Sequence, residues 1–239
     1  MRAPSPPKAD LPLKEGERIR KNYHMNTKNS LNKKDIISIL MMFFCLFMVK
    51  LFPEKDYFQK LIVSLTFLLA VPALYIKITL KEDLKDFGWR AGDWKRGITW
   101  MFLSLAGAFL ILTLLYQYAG LAEKYYVPQN IIQNFGLFVF YETVIAGFFL
   151  ILYEFFFRGF IMFSFLKKWK TASIILQFSA FLLFLIITKD FNWGSVNYII
   201  ASFFSGIVIY KSRSLLYSYL FSLLFVIISD AVYINSLVN

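Results

Sequence analysis

Cysteine and histidine are nearly absent from this chain: one Cys, Cys45, and one His, His24, stand in 239 residues. A single cysteine permits no internal disulfide, and Cys45 reads as a small apolar filler within an apolar run. Zinc needs a cluster of His, Cys or carboxylate, and neither His-Glu-x-x-His nor a Cys pair exists. No metal and no cofactor is expected, and no phosphate-binding glycine loop appears. There is no glycine-serine linker, no internal repeat, and none of the alternation that barrel strands show. Acids are also scarce, with 15 Asp and Glu against 26 Lys and Arg, a net charge of +11. The basic excess sits between apolar runs, where it orients a membrane protein. Nucleic acid is therefore not an expected partner.

What is abundant is apolar. The chain is 58% hydrophobic and 20% aromatic, with 28 Phe. An ordinary soluble domain of this length cannot hide that much apolar surface. The composition implies an all-α polytopic membrane bundle, with the lipid bilayer as its first partner. Seven candidate spans lie at roughly 36–52, 58–78, 97–118, 136–164, 171–188, 194–210 and 214–236, each near the length a bilayer core requires. An N-terminus in the cytoplasm leaves twenty Lys and Arg on cytoplasmic segments and five on outer ones, with Arg158 inside a span. That asymmetry favours this orientation, in a bacterial-type cytoplasmic membrane.

The chain then divides into a disordered basic tail (1–35), two N-terminal transmembrane helices (36–78) and a transmembrane core (79–239). Met25 is a second candidate start. Within the core, "LKEDLKDFGWRAGDWKRGITW" (80–100) is rich in Trp and charge. Its stretch 80–96 reads as an amphipathic interfacial segment, with tryptophans at the headgroups.

The fourth run holds "ILYEFFFRGFIMF" (151–163), with Glu154 and Arg158 inside apolar surroundings. A lone charge at that depth is expensive. The i, i+4 spacing puts both on one helix face, where pairing offsets part of the cost. The pair reads either as a structural lock or as an arginine orienting a carboxylate that does chemistry. Glu142 stands twelve residues earlier, roughly 18 Å away along a continuous helix, so it cannot share a small site with Glu154. Asp230, in the last span, is the better candidate to meet Glu154 across the bundle, or else is a polar group near the outer interface.

Glu154, Arg158 and Gly159 resemble the first motif of the CAAX-protease and bacteriocin-processing (CPBP) family of intramembrane endopeptidases, Glu-Glu-x-x-x-Arg followed often by Gly. Tyr153 stands where the first Glu belongs. "LKDFGWRAGDWKRGI" (84–98), "FFSGIVI" (203–209) and "SRSLLYSYLFSLL" (212–224) are similar to further family segments in the same order, over roughly residues 80 to 235. The resemblance implies cleavage of membrane-delivered or prenylated peptides, with catalytic roles at Glu154 and Arg158. The family's Phe-x-x-x-His motif falls on Phe184 to Thr188, or on Phe181 to Leu185, so Thr188 stands at one lost histidine. Its final His-x-x-x-Asn/Asp motif puts Ser222 at the other histidine and Val226 at the end. A shifted frame ends on Asp230 and puts Val226 at the histidine. Catalysis of this kind needs a base and separate hydrogen-bond donors. Three missing side chains imply that proteolysis is weak or lost. The alternatives are a non-catalytic immunity, regulatory or peptide-binding scaffold that engages a partner membrane protein, and a small transporter lined by Glu154, Arg158 and Asp230.

Overall fold

A computed structural model describes residues 32–52, 56–121 and 134–238. The basic tail up to residue 31, with His24 and Met25, lies outside the described residues. Among those described there is no strand, and seven helical rods follow one another. They are α1 (Lys33–Leu51), α2 (Tyr57–Leu80), α3 (Trp94–Tyr118), α4 (Phe135–Trp169), α5 (Ala172–Thr188), α6 (Val196–Ser212) and α7 (Leu215–Val238).

Five of these helices are long and apolar enough to cross a membrane: α2, α3, α4, α6 with its preceding turn, and α7. The other two fall short for readable reasons. Helix α5 has only 17 residues. Helix α1 carries Lys33, Lys34 and Asp35 in its first turn and Lys50 in its last. The outward faces agree with a lipid surrounding, since Leu40, Phe47, Phe102, Leu110, Phe140 and Val232 are all exposed.

Local chemistry sets the helix starts. The side chains of Asp56, Asp93 and Asn134 accept hydrogen bonds from the backbone N–H of Gln59, Arg96 and Leu137. Each satisfies a donor that a first helical turn leaves without a partner. Helix α4 runs 35 residues without a break. It absorbs its excess length in two π-helical segments, Tyr141–Ala146 and Glu154–Met162. Such widened turns recur at functional sites.

Two apolar cores form. In one, Phe155, Phe156, Phe157 and Phe160 of α4 pack with α1, α2 and α5. The other joins α3, α6 and α7 around Leu105, Ala108, Phe221 and Phe225. Glycines let the helices of this second core approach: a Cβ on Gly97 would lie 2.4 Å from the Tyr217 ring. Small residues at crossings serve the same end in membrane bundles.

The Trp-rich segment before α3 is tied to the turn between α6 and α7. A short 3₁₀ turn, Leu84–Phe87, buries Phe87. Leu215 N donates to Gly88 O, Asp93 N to Ser212 O, and Ser214 Oγ to Arg90 O. Gly92 has φ +63°, and a Cβ there would stand 2.4 Å from Ser212 O. Only glycine fits that conformation at that distance. Trp89 and Trp94 remain about half exposed.

Candidate functional site

Glu154 is 2% exposed and opens the second π segment of α4. Its two oxygens are taken by different serines of α7. Ser218 Oγ donates to Oε2 at 2.5 Å, and Ser222 Oγ donates to Oε1 at 2.7 Å. Arg158 Nη1 lies 3.7 Å from Oε1, an ion pair with both side chains buried. The guanidinium also sits over the Phe181 ring, 5.7 Å from its centroid, where the ring face favours a cation. The i, i+4 pairing expected from spacing is present.

Ser218 and Ser222 reach Glu154 because they stand one helical turn apart on α7, and both are fully buried. Their hydroxyls follow the helical repeat and face α4. Ser222, the residue at which the resemblance expects a histidine, brings a hydroxyl to Glu154.

The other expected residues go elsewhere. Thr188 Oγ1 donates back to Phe184 O of its own helix at 3.0 Å. Tyr153 packs edge-on against Phe181 and Phe184 and lines a separate cavity of about 570 Å³ with Tyr141, Tyr198 and Asp190. Asp230 does not meet Glu154. It accepts from Asn197 Nδ2 of α6 at 2.8 Å, and its carboxyl lies within hydrogen-bonding range of Glu142. The reason is depth along the bundle: Asp230 is two turns beyond Ser222 on α7, and Glu142 is more than three turns before Glu154 on the antiparallel α4. The membrane acids thus form two sites rather than one.

A groove of about 360 Å³ leads to Glu154. Its walls include Trp89, Arg90, Ile151, Phe155, Leu216 and Tyr219. It is apolar along most of its length, with Arg90 at its rim and Glu154 in its wall. The described residues contain no histidine, and no three His, Cys, Asp or Glu among them gather where they could hold a metal ion. Both oxygens of Glu154 accept hydroxyl hydrogens, and among the described residues Arg158 is the charged side chain paired with it. The arrangement holds a charge inside the bundle beside an apolar groove.

Sequence reasoning missed Ser218 and Asn197. The i, i+4 serine stripe was a usable signal for the first. Asn197, fully buried early in α6, had no signal beyond being an amide in an apolar run. Comparison with protein-family models, with curated proteins and with solved structures finds no match to this chain.

Proposed function

We propose that this chain is a CPBP-like integral membrane protein whose glutamate site has lost proteolysis and serves as a binding scaffold. Its ligand is a membrane-delivered apolar segment, such as a prenylated peptide or the end of a partner membrane protein. The observation that carries this reading is the double serine clasp: Ser218 and Ser222 each donate to one oxygen of Glu154. In the resembling family a histidine shares the work of the glutamate. A serine hydroxyl cannot take up a proton near neutral pH, so Ser222 satisfies Glu154 without activating water. The groove retains what binding needs, namely apolar walls and a basic rim at Arg90. Burial of apolar surface drives such binding at roughly 25 cal/mol per Å². An immunity or regulatory role suits a site that binds and does not cut. With the N-terminus in the cytoplasm, the groove opens towards the cytoplasmic face of a bacterial-type membrane.

The test is incubation of purified protein with a prenylated peptide carrying a photoreactive isoprenoid. Mass spectrometry reads both cleavage and crosslinking. The expected result is no cleavage by wild type, by Glu154→Gln or by Ser222→Ala, with crosslinks to the 88–91 turn and to Leu216. Cleavage that disappears in Glu154→Gln sinks the loss of proteolysis. Absence of crosslinks in the groove sinks the binding role.

A further inference from the structure

A second polar site lies in the same bundle, apart from the Glu154 groove. Glu142 of α4 is 3% exposed and Asp230 of α7 is 7% exposed. Their carboxyls face each other within hydrogen-bonding range, yet Glu142 Oε2 is buried with no donor to it. Two carboxylates are acceptors only, so this contact closes only when a cation stands between them. No Lys or Arg forms an ion pair with Glu142 among the described residues. Two like charges this close in a low-dielectric interior repel strongly.

The surroundings are polar. Asn197, itself fully buried, donates its amide N–H to Asp230 at 2.8 Å. Tyr116 of α3 lies close enough to Asp230 to feel its charge, and its buried Oη has no hydrogen-bond partner. Tyr198 of α6 and Tyr141 of α4 lie close enough to feel both acids, Tyr153 of α4 stands beside Tyr198, and Tyr233 of α7 stands beside Tyr116. The cavity of about 570 Å³ approaches from one side, lined by Tyr141, Tyr198, Lys60 and Asp190. Glu142 also falls in the first π segment of α4, Tyr141–Ala146.

We infer that Glu142 and Asp230, with Asn197, form a binding site for one exchangeable cation, either a proton or a sodium ion. The ligand set selects these. All donors are hard oxygens, which suit neither zinc nor copper. One proton suffices, since it turns one carboxyl into a hydrogen-bond donor to the other, and sodium is the other hard cation that the test separates from it. A proton between the carboxyls, or a sodium ion bridging them, supplies the missing positive charge and fastens α4 to α7. Its loss leaves two like charges face to face, so the bundle loosens as the cation is withdrawn.

The test follows the unfolding temperature of the purified chain between about pH 5 and pH 9, in sodium chloride and in choline chloride. Wild type should lose stability as pH rises in choline. If sodium restores it, the ion is sodium; if both salts give the same fall, it is a proton. The double variant Glu142→Gln/Asp230→Asn should lose the dependence on pH and on sodium. A second measurement needs no variant: a hydrophobic carbodiimide should label Glu142 or Asp230, more slowly at high pH or in sodium, as read by peptide mass spectrometry. A wild type that responds to neither pH nor sodium overturns the site, as does an unchanged response in the double variant or a label at neither acid.

Discussion

Helix α4 carries two buried glutamates, and the bundle treats them differently. Glu154 meets two hydroxyls and a guanidinium, all contributed within a turn or two of α4 and α7. Its charge is answered by protein alone. Glu142 meets the carboxyl of Asp230, which itself accepts from the Asn197 amide, so in the inference above its charge is answered by a cation that arrives. Glu154 opens one π segment of this helix and Glu142 lies within the other. Local backbone geometry therefore does not distinguish a closed site from an open one. The partners across the helix crossing do, because a buried charge is tolerated only with its counter-charge and hydrogen bonds in place.

That contrast can be broken most forcefully at Arg158. Arg158→Leu leaves Glu154 buried without a counter-charge and should destabilise the bundle by about 3–5 kcal/mol. Adding Glu154→Leu should recover most of the loss, since an apolar pair of similar size needs no counter-charge. Denaturant or thermal unfolding in detergent reads both. If the double variant is no better than the single one, the pair is not self-contained.

A smaller effect is expected at the serine clasp. Ser218→Ala and Ser222→Ala each remove a hydroxyl donor from a buried charge, a loss of about 1.5–3 kcal/mol. Because they share one carboxylate, their losses should not add. A double-mutant cycle measures the coupling, and strict additivity would show that the two hydroxyls act on separate groups.

The smallest change is expected at the open site. Glu142→Gln keeps shape and supplies a donor to Asp230, so stability near neutral pH should move by about 1 kcal/mol or less. The same change at the closed site, Glu154→Gln, sets an amide N–H against a serine donor or Arg158 and should be worse. Unfolding temperatures of the two glutamine variants at one pH decide the ranking, and equal losses would erase the difference between the sites.

Much of this was legible in the residues. Mean composition and run length give a helical membrane bundle, because every backbone group in lipid must be paired within its own segment. The Glu154–Arg158 pair is legible too, since i, i+4 spacing fixes neighbours on one helix face regardless of what packs outside. Of the two readings of Asp230, the meeting with Glu154 does not hold, since it meets Glu142 and Asn197. Thr188, which the resemblance sets at a lost histidine, turns its hydroxyl back onto Phe184 of its own helix. Both concern partners on different helices. Helix α5 is apolar on nearly every side, so little announces which face turns inward, and the serine stripe of α7 marks an inward face without saying which helix it meets.

The sequence by itself determined the class of protein, the places where helices run and the self-paired charge in α4. These follow from solvation of the backbone in lipid and from the fixed pitch of one helix, and neither needs a neighbour. Only the tertiary structure decided that Ser218 and Ser222 clasp Glu154, that Asp230 lies against Glu142, and that an apolar groove ends on the closed site. Those depend on the rotation and depth at which α4, α6 and α7 cross. Crossing geometry is set by the packing of residues such as Gly147 against Tyr219 and Phe204 against Phe221, summed over the whole bundle rather than written in any one segment.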